Sequence, residues 1–423
     1  MARYENVVLL SIDALRKDRV NGDYIRDVAP FLSKLAEDNT EFSNCISTSS
    51  HTREAMSSML TGVYPYRANT RGLIPSKAPG GGFNLDRETI SSYIDVRTGA
   101  FHSNPFLSRS FGYGDSWDRF DDDLSLGNSK VMTLLNRFLD KLLNRHYSSA
   151  EEINQKSLDW LDSGKGRFLL WNHYMDPHGP YQPPKGSRGK YQDKPLSNRK
   201  SQKLLKRAIE NPESISDTER QRLIDLYDEE ISYTDRKIEE FFEQLEERDL
   251  LENTLVIIAG DHGEAFGEEG FYEHGEALNE ELVRVPLILV DGRDRTVETP
   301  VSLVDIVPTI LEALGEEKPE DLDGESLLEV AEDPEDFSGR TVFTQDTKDE
   351  HLLFGGFNGG ELQTIEGDDG DLKPSGHEGL ERELREYARK ALDREEESSE
   401  DEEMEEEVKE RLEALGYMGE KSR

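Results

Sequence analysis

The chain has 423 residues, of which 51 are Lys or Arg and 90 are Asp or Glu, giving a formal charge of −39. That balance excludes a nucleic-acid binder held by phosphate contacts and disfavours docking on an anionic membrane. No run of about 18 apolar residues is available to span a bilayer, and a single cysteine, Cys45, excludes an internal disulfide and any multi-cysteine zinc site. The length fits two or three domains, or one large α/β domain with a small appendage. The continuous apolar run 7–12 predicts a first strand, buried on both faces and ending at Asp13. Pro30 opens a helix carrying Phe31, Leu32 and Leu35. Residues 41–46 read as a short strand, and a helix over 53–60 stops at Gly62. A further strand ends at Ala100 and Phe101.

Residues 168–171 form the next buried strand and run into the long, Pro-rich loop HYMDPHGPYQPP. A charged helix covers 218–250, and strands cover 255–259 and 286–290. The stretch VSLVDIVPTILEALG, residues 301–315, reads as an amphipathic helix with Pro308 inside it or at a boundary. Alternation of apolar strands with helical patterns predicts an α/β fold with a largely parallel central sheet flanked by helices. The pattern divides the chain into a catalytic α/β domain (1–338), a small C-terminal subdomain of short strands (339–393) and an acidic stretch with a docking helix (394–423). In that last helix Val408, Leu412 and Leu415 share one face.

Three chemical features follow predicted strands, where open α/β sheets place their sites. Asp13 follows the first strand, Asp261 and His262 follow residues 255–259, and His173 and His178 follow residues 168–171. Carboxylates with imidazole on neighbouring strand ends make a site for a hard-to-borderline divalent metal. Thr52 opens a helix, where free backbone N–H groups favour an anionic ester. A metal at its hydroxyl would make it a nucleophile; from spacing alone an ordinary cap is the better reading.

NVVLLSIDALRKD, the stretch from Thr52 to MLTGVYPYR, HYMDPHGPYQPP, IIAGDHGEAFGEEGFYEHGEALNEELVRVPLIL and VSLVDIVPTILEALG, in that order, resemble the sulfatase family of the alkaline phosphatase superfamily. The closing RLEALGY resembles the family's C-terminal end. The resemblance implies the family's α/β fold and a metal-dependent hydrolase of sulfate or phosphate esters. The family's nucleophile lies nine residues before the Thr of Leu-Thr-Gly. Here that Thr is Thr61, so Thr52 takes the position. Sulfatases place there a Cys or Ser that becomes formylglycine, followed by x-Pro-Ser-Arg; this chain reads Thr52-Arg53-Glu54-Ala55-Met56. Thr cannot become formylglycine, and Asp261-His262 replaces the common Asp-Asn. Both departures resemble the family's phosphate branch, and imply preference for a phosphodiester or phosphonate ester.

By the same resemblance Asp13, Thr52, Asp261 and His262 would hold one divalent ion (Mn, Mg, Ca or Zn), His178 would protonate the leaving group, and His274 would touch the ester oxygens. His102, in AFHSNPF, is a further candidate for those oxygens, and Asp176, His173 and His178 are candidates for a second metal. His51 adjoins Thr52 but gains no role from the resemblance. Cys45 lies seven residues too early for the nucleophile and reads as a small buried residue. The implied partner is a small-molecule or glycan ester, with no nucleic acid and no membrane insertion. A transferase passing the group to a glycan or lipid acceptor and a non-catalytic member of an assembly pathway are the alternatives. The opening MARYENVVLLSID is too short and too soon acidic for a signal peptide, which predicts a cytoplasmic location.

Acid spread along nearly the whole chain is the composition of a protein adapted to high salt. Self-repulsion at a charge of −39 is screened by salt. Thermal melts are therefore expected to show markedly higher stability in molar KCl than in roughly 0.1 M KCl; equal or lower stability would remove the salt adaptation.

Overall fold

The computed structural model describes residues 2–22, 24–68, 85–123, 147–184, 186–348, 351–367, 373–374 and 380–397. Its centre is an eight-stranded sheet. In chain order the strands are β1 (Asn6–Ile12), β2 (Thr40–Phe42), β3 (Arg97–Phe101), β4 (Arg119–Asp121), β5 (Phe168–Tyr174), β6 (Thr254–Gly260), β7 (Leu287–Val290) and β8 (Arg295–Val297). Their order across the sheet is β8-β2-β7-β6-β1-β5-β3-β4. All neighbours are parallel except β7, which runs antiparallel to β6 and β2.

The central strands are apolar on both faces because both faces are covered. Val7 and Leu9 of β1 join Leu255 and Ile257 of β6 in one core layer. There they meet helices α1 (Thr52–Thr61) and α2 (Ile306–Leu314). Val8, Leu10 and Ile12 point the opposite way, as strand alternation requires. They pack with Val256 and Ile258 against α3 (Asp217–Glu246) and the helix Pro30–Asp38. Asp217–Glu246 begins at a Ser216–Glu219 capping box.

Several local readings are corrected. Residues 41–46 are not one strand: Thr40–Phe42 lies in the large sheet, whereas Cys45–Ile46 pairs with Val301–Ser302. Ser43 and Asn44 break the run because their backbone and side-chain N–H groups bond the Val297 and Glu298 carbonyls. The 301–315 segment begins as that short strand, and its helix starts only at Ile306. Pro308 falls in the first turn, where its missing N–H has no intrahelical partner to lose. The strand read as 168–171 continues to Tyr174, so His173 belongs to the sheet and not to the loop.

A second, antiparallel sheet is built from β9 (Val342–Lys348), β10 (His351–Phe357), Gln363–Gly367 and Lys373–Pro374. Leu384, Tyr387, Ala388 and Ala391 of the helix Glu381–Glu397 cover it. Arg340 donates to Asp305 at 2.9 and 2.5 Å and fastens this sheet to the segment leading into α2. Val408, Leu412 and Leu415 lie outside the described residues. Among the described residues no helix is long and apolar enough to cross a membrane.

The helix Pro30–Asp38 has Ala29 at its N-cap, which offers no side-chain acceptor. Its first amides instead donate to a carboxylate from α3: Phe31 N and Leu32 N reach Asp235 at 3.2 and 2.8 Å. Burial outweighs those bonds and raises the Asp235 carboxyl to about 7. A folded value above the unfolded one means that the folded state binds the extra proton. The contribution is fully present below the ordinary carboxyl range and is lost as pH rises towards 7. Urea melts at several pH values should show wild type losing stability over that window relative to Asp235→Asn; parallel profiles would refute the buried proton.

Candidate active site

The site is set by where three parallel strands stop. Ile12 stands opposite both Tyr174 and Gly260, so β1, β5 and β6 end level with one another. The chain then turns in register: Asp13 N donates to Tyr174 O at 2.9 Å and Asp261 N to Ile12 O at 3.3 Å. Two carboxylates thereby emerge side by side, and both are fully buried. Ala14 N and His262 N donate to Asp261 Oδ1 at 3.0 and 2.7 Å and fix its orientation. Asn104 Nδ2 donates to Asp13 Oδ2 at 3.1 Å.

Thr52 is the first residue of α1, with His51 at the N-cap. Its hydroxyl stands 3.0 Å from His262 Nε2 and 3.4 Å from Asp13 Oδ2. The other His262 nitrogen, Nδ1, lies 2.8 Å from Gly263 O and donates to it, which turns Nε2 to Thr52. His274 packs against this group at a ring distance of 4.3 Å from His262. His178 Nε2 meets His274 Nε2 at 2.8 Å, and His178 Nδ1 donates to Gly179 O at 2.5 Å. All six residues assigned from the sequence, Asp13, Thr52, His178, Asp261, His262 and His274, thus come together.

His173, read from the sequence as following the same strand as His178, joins them from within the sheet. It lies opposite Ser11 in the sheet, with Nδ1 at 2.9 Å from Ser11 Oγ and Nε2 at 3.4 Å from Asp13 Oδ2. Trp171 Nε1 donates to the same Ser11 hydroxyl at 2.9 Å. Asp13, His173 and Asp261 present ligand atoms within 4.8 Å of one another and form a triad able to hold a metal. His173 Nε2 and Asp261 Oδ2 are buried and have no hydrogen-bond partner among the described residues. Buried polar atoms ordinarily have one, and a cation between the two carboxylates would satisfy both.

The electrostatics agree. Burial would drive the His262 imidazole down, but Asp261 and Asp13 raise it to about 10. Burial and the neighbouring Asp13 raise Asp261 to about 6. Burial also opposes ionisation of Asp13, yet His178, His173 and His262 hold it well below the usual carboxylate range. The pocket carries surplus negative potential, and carboxylate and imidazole donors suit a hard-to-borderline divalent ion. Burial lowers His178 and His274, with His262 adding to the effect at both, which favours neutral imidazoles.

Two other candidates sit elsewhere. Asp176 Oδ2 accepts from Ala150 N at 2.8 Å, at the start of the helix Ala150–Asp162, and among the described residues Asp176, His173 and His178 do not bring ligand atoms close enough together to form a second metal site. The His102 ring is fully buried, stacked on Trp171 at 5.2 Å and edge-on to Phe120 at 5.0 Å. The AFHSNPF segment reaches the site through Asn104 instead.

Metal analysis is expected to find one divalent ion per chain, with Asp261→Ala losing the ion and melting at lower temperature because bound metal stabilises the native state. His173→Ala should weaken metal affinity by roughly 10-fold or more; full metal content in Asp261→Ala would sink the assignment.

The sulfatase family model matches residues 5–316. Over 365 residues the chain is 27% identical to the uncharacterized sulfatase YidJ of Escherichia coli K12, covering 77% of this chain and 70% of that one. The fold is similar to phosphonate monoester hydrolase SpPMH from Silicibacter pomeroyi, with TM-score 0.63, 18% identity and coverage of 93% and 96%. It is also similar to BT4656, solved with its substrate D-glucosamine-2-N,6-O-disulfate, with TM-score 0.64, 15% identity and coverage of 98% of each chain. A family match over most of the length, with the matched blocks supplying the residues gathered around Thr52, settles the family: the chain belongs to the sulfatase family.

Proposed function

We propose that this sulfatase-family hydrolase acts on a phosphodiester or phosphonate ester, with Thr52 as its nucleophile. The observation that carries the proposal is the Thr52 hydroxyl at the start of α1, 3.0 Å from His262 Nε2 and beside Asp13. An aldehyde nucleophile can release sulfate by collapse of a hemiacetal. A threonine ester must be hydrolysed by water attack on the transferred group, which is ordinary chemistry for phosphorus and awkward for sulfur. The similar fold of a phosphonate monoester hydrolase supports the same choice.

In this reading Asp13, Asp261, His262 and Thr52 hold one divalent ion, Mn, Mg, Ca or Zn, and His173 offers a fifth donor. Such an ion supplies positive charge that lowers the hydroxyl pKa and draws the ester oxygen. Thr52 Oγ attacks phosphorus; the Oγ–P bond forms, the bond to the leaving oxygen breaks, and the hydroxyl proton leaves to solvent. His178 in its protonated form delivers its own Nε2 proton to the leaving oxygen and takes one back from the attacking water. His274, bonded to His178 Nε2, holds the ring in place and faces the ester oxygens. Water then attacks phosphorus, the Oγ–P bond breaks, and Thr52 recovers a proton.

With one nitrophenol leaving group and one metal concentration, an aryl phosphodiester should be cleaved faster than an aryl sulfate. Thr52→Ala should abolish turnover, a loss of about 10⁴-fold or more. His178→Ala should cost about 10²–10⁴-fold with an alkyl leaving group and least with nitrophenol. Faster sulfate cleavage together with an active Thr52→Ala variant would overturn both the nucleophile and the ester class.

A further inference from the structure

Two segments that enter the site are held by residues from elsewhere in the chain. The loop before Thr52 is held by β9: Gln345 N donates to Thr48 O at 2.9 Å, and buried Asp346 accepts from Ser50 N at 3.2 Å and lies 3.0 Å from His51 Nδ1. The turn after Asp13 is held by a hydroxyl from α3. Tyr227 Oη donates to Ala14 O at 2.7 Å and accepts from Arg16 N at 3.0 Å. All three residues are buried, and the Tyr227 ring packs on Phe266 and Tyr181 at centroid distances of 5.0 and 5.9 Å. A phenylalanine in its place would leave a buried amide and a buried carbonyl without that bond.

The conformation so held is a costly one. Ala14 has a φ of +56°, in the left-handed region that a residue with a Cβ enters only against steric resistance. The turn also presses on the end of β6, where Leu15 O lies 2.8 Å from the place a Cβ on Gly260 would take. In this turn Ala14 N points at Asp261 and donates to Oδ1 at 3.0 Å, beside His262 N at 2.7 Å. Two amides thus occupy Oδ1. Oδ2 remains buried and without a hydrogen-bond partner among the described residues, as the oxygen free for an ion. Arg16 repeats the tie one step further on, its Nη1 donating to Glu264 O at 3.0 Å. The ends of β1 and β6 are therefore joined twice, and Tyr227 stands between the two joins.

We propose that Tyr227 is a positioning residue for the metal site: by holding Ala14 in the left-handed conformation it keeps the Ala14 amide on Asp261 Oδ1 and presents Oδ2 to the ion. The role rests on Asp261 being a metal ligand. It needs no contact between Tyr227 and the ion, the ester or any transferred proton. The phenol is a fixed post on a 30-residue helix, and its effect passes through the backbone of residue 14. A tyrosine that only fills the core would stabilise the fold and leave ion affinity alone.

The test uses the full chain as Tyr227→Phe, Ala14→Gly and the double variant, with metal-free protein titrated by Mn²⁺ and, separately, by Zn²⁺. Tyr227→Phe is expected to weaken ion binding roughly tenfold. Ala14→Gly should bind within about twofold of wild type, because glycine enters the left-handed region freely and the hydroxyl still bonds it. In the glycine background, losing the hydroxyl should cost less than about threefold, since the turn no longer needs holding against a Cβ. Selective ¹⁵N-alanine labelling of the metal-free protein gives a second readout. The signal that Ala14→Gly deletes is the Ala14 amide, and in Tyr227→Phe it should shift and lose protection from hydrogen exchange. Wild-type affinity in Tyr227→Phe, an unmoved Ala14 amide, or an equal loss in both backgrounds overturns the positioning role and leaves Asp261 a ligand. If Tyr227→Phe does not fold, recovery of the fold in the double variant supports the role, and a double variant that stays unfolded overturns it. Wild type that binds neither ion overturns the ligand assignment as well.

Discussion

Everything in this molecule that bears on chemistry depends on three parallel strands ending at the same level. The pairing of Ile12 with Tyr174 and with Gly260 brings Asp13 and Asp261 together, although 247 residues separate Ala14 from the carboxylate it bonds. Parallel register is set by packing of both faces of the sheet, because a one-residue slip turns every side chain to the wrong layer. The two core layers on either side of β1 therefore do more than stabilise the fold. They fix where two negative charges meet, and that meeting is unfavourable unless something positive joins them.

The rest of the site answers that imbalance. His262 and His173 stand on either side of Asp13, each with a nitrogen 3.4 Å from one of its oxygens. Asn104 and the amides of Ala14 and His262 donate to the carboxylates. Thr52, with the free amides of a ten-residue helix behind it, adds a hydroxyl and a partial positive charge. Donor atoms able to hold a cation thus stand beside a helix start that favours an anion, the combination on which the proposed ester hydrolysis would draw when charge develops on a transferred group. His178 and His274, where burial favours the neutral imidazole, lie beside it with their Nε2 atoms 2.8 Å apart.

What could be read in the sequence was what local pattern controls. Apolar runs that stop at Asp13 and at Asp261-His262 announce both the strand and the residue at its end, whereas Thr52 is marked only by the family resemblance, through its distance from Leu-Thr-Gly. His173 was harder, because its place beside Asp13 follows from β5 continuing to Tyr174 and from its register opposite Ser11. The AFHSNPF segment was singled out for the wrong side chain: His102 packs between Trp171 and Phe120, and Asn104 two residues later turns to Asp13. Asp346 left no signal at all. It is 295 residues from His51 and sits in a seven-residue strand whose pattern speaks only of a small sheet.

That separation has a consequence for how the protein is made. The loop carrying Ser49, Ser50 and His51 emerges early in synthesis, but the strand that bonds Thr48 O and Ser50 N emerges only after four-fifths of the chain. During synthesis, chains shorter than this can pair the central strands and bring Asp13 and Asp261 together while the loop before Thr52 still lacks its clamp. A frameshift or proteolytic cut near residue 340 would therefore leave the large sheet's sequence intact and still remove the bonds that hold the loop before Thr52, so that a lesion far along the gene would present as a defect at residue 52.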